Sequence, residues 1–424
     1  MAIVERPAGS SATDAVSYPD LYARWERGNW SATEIDFAQD AIDWREKLTA
    51  EQRRSALWLY TLFFHGEDSV ADNLSPYIDA APTEEQTYFL TTQQVDEARH
   101  AVFFHRFMRE VVGVGGEDIR STLAATRQQL PWGHRKVFGR LDEMARELRA
   151  DPSKVQLAKA VTLYHVIVEA SMAQPGQHMI EDSLERYDVL PGFRAGMRNI
   201  ALDEQRHIGF GIKLLADLHD ELGAPVADGI AEVLREVLPW TAGVAMPPGW
   251  DRSYTECFGF TLEDLGEEGA RSLEQKLRAI GLPVEEMRVP MDWHLSPRER
   301  ATRGMQLMRA HMIGPEGPVD RAAGNVEIMF DSIAQSADAT AVRPGTTIGW
   351  DFSDFEPWHL TLRPGATQAT RGRAASADLT LRCRFDDWVG VVAGRRDPRR
   401  LLVTGRLRPK GDLRLLLKLQ RVFD

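Results

Sequence analysis

QQVDEARHAVFFHRF, Gln93 to Phe107, decides how the first half of this chain must fold. Inside an apolar segment it sets Glu97 and His100 three residues apart, and DEQRH, Asp203 to His207, repeats the spacing with Glu204 and His207. Residues at i and i+3 project from one face of an α-helix, so each pair makes a claw aimed in a single direction. A carboxylate oxygen beside a neutral imidazole nitrogen suits iron or manganese. Upstream of each claw one more acid stands among apolar helical neighbours: Glu67 beside Phe63, Phe64 and Val70, and Glu169 beside Val166, Val168 and Ala170. An unpaired carboxylate in such a place is costly or stays protonated, so a shared metal is the economical reason for all of these groups. A single Glu-x-x-His arises readily on a charged helix face. Two copies with matching upstream acids are much harder to assign to chance.

Each claw is preceded by an aspartate and split by an arginine. Asp96 and Asp203 are placed to accept the second ring N–H of the opposite histidine, which fixes its tautomer, and Arg99 and Arg206 to neutralise those aspartates. As the alternative, all four are ordinary surface charges.

The chain has 424 residues, enough for about two or three domains. Its net charge of −12 argues against general nucleic-acid binding. The charge is uneven: Thr340–Asp424 carries 16 Lys+Arg against 9 Asp+Glu. That surplus reads as a solvated arginine-rich surface, or as attraction to anionic lipid headgroups or to the acidic first domain. No apolar run reaches the ~18 residues of a membrane span, and MAIVERPAGSSATDAVSYPD lacks the pattern of a secretion signal, so a cytoplasmic protein is expected. Cys257 and Cys383 are too few for a disulfide framework and leave no thiol pair for a metal.

Helical periodicity runs almost unbroken from Thr49 to Leu218, with breaks at Ala81-Pro82-Thr83, Val114-Gly115-Gly116, Asp151-Pro152-Ser153 and Pro191-Gly192. Thr49 with Gln52 and Thr83 with Gln86 have capping-box spacing. The spacing predicts a helical bundle over 20–240, further helices packing on it over 241–312, and a linker at 313–320. Over 321–424 the grammar changes to one helix near Arg321–Ser336, then strand-like TTIGWDF, WHLTLRPG and ADLTLRCRF, a small α+β domain.

With these residues in place, the first domain resembles the ribonucleotide reductase small-subunit superfamily, all-α ferritin-like bundles that hold two metals with four glutamates and two histidines. The likeness extends to NWSATEIDFAQDAIDWREKLTAEQR, Asn29 to Arg53, and implies an electron path Trp30–Asp203–His100. One turn past His100, where the reductases usually carry a radical tyrosine, stands Phe104. Val70, one turn after Glu67, and Tyr164, five residues before Glu169, make the chain resemble the ligand-binding oxidases of the superfamily, which carry a manganese/iron pair. That similarity implies a Val70–Tyr164 ether crosslink, a fatty-acid-like ligand at the metals, and room for it at Ala201, Gly209 and Gly211. The C-terminal segment resembles a sterol-carrier-protein-type lipid-binding domain through Trp350-Asp-Phe352, Pro357-Trp358, Asp387-Trp388 and Gly411-Asp412.

The expected protein is an O2-using oxidase or oxygenase with two metal ions, Fe/Fe or Mn/Fe, acting on C–H bonds of a hydrophobic guest. Phe63, Phe104 and Phe210 are the expected cavity walls, an external electron donor supplies reducing equivalents, and the assembly is a homodimer. The alternatives are a lipid carrier or sensor with a non-catalytic metal site, and an amine N-oxygenase in which His165 is an extra ligand.

Overall fold

Two long helices, Ala50–Asn73 and Glu84–Phe107, carry the first acid and the first claw. Both begin at capping boxes: Thr49 accepts from the Gln52 N–H and Thr83 from the Gln86 N–H, and each glutamine side chain accepts in return from the backbone N–H of its capping threonine. The second acid lies on a continuous helical run from Lys154 to Tyr187, and the second claw on Pro191–Leu222. Pro191 opens that last helix, where its missing N–H is no loss. Buried Asp40 takes the N–H groups of Gly192 and Phe193 at 2.9 and 2.7 Å, and Asp43 that of Leu190 at 3.0 Å. The acids of the entry segment thus satisfy orphan donors at the start of a helix some 150 residues later in the chain.

The computed structural model describes residues 16–423. Most of the N-terminal stretch read for a secretion signal lies outside the described residues, as does Asp424. No helix among the described residues is long and apolar enough to cross a membrane.

Packing divides the chain into two units. The first comprises the bundle to Val233 together with Val244–Val284; the second comprises Leu234–Gly243 and the chain from Glu285 onward. Residues 285–312, expected to pack on the bundle, therefore group with the C-terminal domain. Leu307, Ala310 and Met312 lie in its hydrophobic cluster with Val326 and Phe330. The expected linker at 313–320 is an ordered connector within this unit: the Asp320 N–H bonds Ala310 O at 3.0 Å, and Arg395 reaches the Gly314 and Pro315 carbonyls.

The sheet of the second unit has the order β3-β2-β1-β4-β5, with β1 Thr346–Phe352, β2 Trp358–Leu362, β3 Gln368–Arg371, β4 Leu379–Cys383 and β5 Arg408–Gly411. Only the β1–β4 pairing is parallel. Ile348, Trp350 and Phe352 alternate inward, opposite Leu360, Trp358, Leu381 and Cys383, as a period of two demands. Gly411, at φ +117°, is fixed by space as well as by conformation, because a Cβ there would lie 2.3 Å from Asp378 O.

Candidate metal centre

The four ligand helices bring all six predicted groups into one buried box. His100 Nδ1 lies 3.2 Å from Glu67, 3.5 Å from Glu97 and 3.6 Å from Glu204; His207 Nδ1 lies 3.1 Å from Glu97, 3.6 Å from Glu169 and 3.7 Å from Glu204. The atoms fall into two groups, each within 4.8 Å: Glu67, Glu97, His100 and Glu204, and then Glu97, Glu169 and His207. Glu97 belongs to both groups, and Glu204 faces both histidines. Glu97 Oε2, Glu169 Oε2, Glu204 Oε2 and His207 Nδ1 are buried without a hydrogen-bond partner. Buried acceptors left unpaired and converging on one another fit a pair of cations in a way they fit no packed core.

The electrostatics point the same way. Burial and the neighbouring acids push the carboxyls of Glu169 and Glu204 up. Burial lifts Glu67 to about 8 against the pull of His100. For Glu97 burial also raises, but His207 and His100 win and hold it well below the usual range. Both ligand histidines are raised: burial opposes the charge, and Glu67 at His100 and Glu97 at His207 overcome it. Without metal the box therefore stores protons where cations belong.

The outer groups cross over. His100 Nε2 pairs with Asp203 at 3.0 Å, and His207 Nε2 with Asp96 at 3.1 Å. Arg206 bonds Asp96 at 3.1 Å and also Asp203, while Arg99 bonds Asp203 at 3.2 Å and also Asp96, so two aspartates and two arginines form one closed ring. Trp30 donates its indole N–H to Asp203 at 2.9 Å, completing the line Trp30–Asp203–His100. A second line, which the sequence reading missed, mirrors it: Trp25 donates to Asp96 at 2.9 Å, and Asp96 meets His207. Its only sequence signal is a tryptophan in a short helix that carries four charged residues, YPDLYARWER.

Thr162–Ala173 is wound as a π-helix, the wider i→i+5 form that tends to occur at functional sites. In that winding residues five apart come to one side, which is how Tyr164 and Glu169 line the same cavity. The Tyr164 hydroxyl donates to Glu97 at 2.6 Å, and Gln93 donates to both Tyr164 and Glu169 at 2.9 Å. Gln93 stands four residues before Glu97, on the face of the claw; that spacing was the available signal for it. His165, the candidate extra ligand, turns Nε2 to Gln93 Oε1 at 3.2 Å and stays outside both ligand groups. Burial holds its pKa down, at about 3, so it is neutral.

An apolar cavity ends on Glu67, Glu97, Glu169 and Glu204. Leu59, Leu62, Phe63, Val70, Tyr164 and Val168 are among its walls. Of the expected aromatic walls only Phe63 lines it. Phe104 stacks behind Phe63 at 6.2 Å, and Phe210 stacks on Phe89 at 4.5 Å. The room expected at Gly211 is taken: a Cβ there would lie 2.3 Å from His165, so this glycine serves close helix packing. Ala201 and Gly209 do not line the cavity either.

The family model for the ribonucleotide reductase small chain matches residues 15–238, over half of the sequence. The chain belongs to the ribonucleotide reductase small-chain family. Residues 330–424 match the SCP-2 sterol transfer family. Among solved structures, the R2-like ligand-binding oxidase from Sulfolobus acidocaldarius is 27% identical, with a TM-score of 0.53, covering 67% of this chain and 94% of its own. Two single-residue variants of an R2-like ligand-binding oxidase with anaerobically reconstituted Mn/Fe cofactor are each 26% identical, with TM-scores of 0.53 and 0.54, covering 62% of this chain and 93% of theirs. This member of the small-chain family is thus fused to a sterol-carrier-type domain. In that domain Trp350, Phe352, Trp358 and Trp388 pack in the core, Trp358 stacked on Phe330 at 4.6 Å and Trp350 5.0 Å from Trp388.

Proposed function

We propose that this protein is a dimetal carboxylate oxidase that uses O2 and a Mn/Fe or Fe/Fe pair against C–H bonds of an apolar, lipid-like guest. One observation carries the reading: the apolar cavity ends on the carboxylates of the box itself. Glu67, Glu97, His100, Glu204, Glu169 and His207 would hold the two ions. When bound, such a pair supplies O2 reduction and the capacity to take hydrogen from carbon.

The chain's own part is placement and exclusion. Leu62, Phe63 and Val168 keep water from the reacting end, and Gln93 fixes Tyr164 and Glu169 by two donated bonds. Burial and the surrounding acids hold the Tyr164 hydroxyl proton in place, on a bond to Glu97. Val70 lines the same cavity as Tyr164, which supports the proposed ether crosslink. Forming it removes one hydrogen from the Val70 side chain and one from the tyrosine hydroxyl, the two electrons passing to O2. A cytoplasmic setting agrees with the free thiols of Cys257 and Cys383. The external donor and the homodimer belong to the same proposal.

Consumption of O2 by the reduced, metal-loaded protein, measured with and without candidate fatty acids, tests the reading. Guest-dependent uptake is expected; guest binding with no uptake would make the protein a carrier or sensor. Intact mass after O2 exposure, lower by two hydrogen atoms, reports the crosslink.

A further inference from the structure

The last helix, Leu413–Phe423, is strongly amphipathic, and its outer face is not the usual polar one. Val422 is buried, and Leu415, Leu416, Leu419 and Phe423 pack against the core of the second unit. At 100° per residue, Leu413, Leu417, Arg421, Arg414 and Lys418 then fall in that order along an arc of about 140° on the opposite side. Leu413 is 57% and Leu417 83% exposed, and the three cations are exposed beside them. No ion pair joins Arg414, Lys418 or Arg421 to an acid among the described residues. Val403, 89% exposed and following exposed Arg399 and Arg400, adds an apolar point in the same stretch of chain. From Arg399 to Phe423 there are eight basic residues and one acid, Asp412.

We propose that this face docks the protein on an anionic membrane surface. Exposed leucines flanked by cations, with almost no acid nearby, are what a headgroup boundary rewards: the apolar tips enter the acyl edge while the cations meet lipid phosphates. A wholly polar face would suit water alone, and an acid-rich one would be repelled. The inner side of the helix covers the core that holds Trp350, whose ring lies 6.5 Å from Phe423. Docking by this helix therefore sets the wall of the lipid-binding domain against the bilayer, where an apolar guest is exchanged. The proposal deepens the lipid-handling part of the function above and shares no residue with the metal box.

The test is co-sedimentation of the full-length, metal-loaded protein with vesicles of phosphatidylcholine containing about one third phosphatidylglycerol, against vesicles of phosphatidylcholine alone. Binding is expected on the anionic vesicles only and should weaken with added salt. Leu417→Glu and Lys418→Glu should each lower it about tenfold, with metal content and Tm unchanged. Equal binding to both vesicle types, binding that ignores both substitutions, or no binding at all overturns the proposal. So does a dimer, seen by light scattering, that Leu417→Glu dissolves, since the face would then be a self-contact. O2 uptake on the same preparations separates the two readings: docking without uptake removes the oxidase and leaves this surface standing, and uptake without docking does the reverse.

Discussion

The two halves of the metal box share one ligand pattern and differ in nearly everything around it. On the first side Glu67 sits on a regular α-helix and pairs with His100 at 3.2 Å. On the second side Glu169 sits on a π-helix and is held by Gln93, which also holds Tyr164 and His165. A two-fold ligand set thus lies in two unequal fields, one fringed by hydrocarbon and one by a tyrosine, an amide and a neutral imidazole. Ligand spacing sets how many metals the box takes; the surroundings decide whether the two positions are alike. Two of the similar solved structures carry a Mn/Fe cofactor, a pair of unlike ions.

The comparison breaks first at the shared ligand. Because Glu97 belongs to both groups, Glu97→Ala should empty both metal positions, while Glu67→Ala empties mainly the His100 side. Glu110→Ala, which removes an exposed partner shared by Arg106 and Arg109, should leave both filled. Metal counts per chain by elemental analysis decide it, and equal retention in Glu97→Ala and Glu110→Ala would sink the ligand assignment. The ring of aspartates and arginines comes next. Asp96→Ala strips the partner from His207 Nε2, from Trp25 and from one side of Arg206, and so leaves buried charge uncompensated. A loss of about 3–5 kcal/mol is expected from denaturant unfolding. Asp96→Asn should cost less and weaken mainly the His207 metal, whereas Asp203→Asn should act on the His100 side; the reverse pattern would refute the crossover.

How far the sequence foretold this follows from which signals are local. Both capping boxes, the strands Thr346–Phe352, Trp358–Leu362 and Leu379–Cys383, and the two Glu-x-x-His pairs follow from spacing within a helix turn or a pleat, and Glu67 and Glu169, which join those pairs in the candidate metal groups, stand out as lone acids among apolar helical neighbours. The strand Gln368–Arg371 was not anticipated, because it is a mostly exposed edge with no apolar alternation. The π-winding was hidden as well, since an apolar helix reads the same at either pitch. The membership of 285–312 depends on which core its apolar face meets, a long-range fact that no local pattern encodes. Trp25 was missed for that reason too: its partner Asp96 lies 71 residues away.

Protons give a weaker, graded contrast. In the metal-free box Glu67, lifted to about 8, and the raised histidines bind more protons than the unfolded chain does. Glu67 loses its share of stability as pH rises from about 4.5 through about 8, and the histidines lose theirs from about 6.5 upward, so between about 6.5 and 8 all three act together and the metal-free Tm should fall across that window. Metal replaces the protons, and the loaded protein should lose that slope. Burial keeps His65 neutral, with a pKa of about 4, and His134 and His165 likewise at about 3; they act in the opposite sense, but below pH 6.5, outside the window. A proton-release assay during metal uptake at pH 7 checks the mechanism, and uptake without release would contradict it.

The smallest expected effect is the sharpest probe of symmetry. Trp30 donates to Asp203, stacks on His100 with ring centres 6.3 Å apart, and lies under the Arg99 guanidinium at 5.1 Å. Trp25 donates to Asp96, and its ring partner is Tyr22 at 5.8 Å on its own helix. Phenylalanine keeps an aromatic ring at either place but removes the indole N–H. Trp25→Phe should cost about 1 kcal/mol, since Asp96 retains Arg206 and His207, and Trp30→Phe somewhat more because its ring contacts go deeper. If both lines carry electrons inward, each variant should slow one-electron reduction of the O2-exposed, metal-loaded protein in stopped flow, with metal content unchanged. A slowing confined to Trp30→Phe would make the second line a structural mirror only, and the likeness of the two halves would then end at the ring of aspartates.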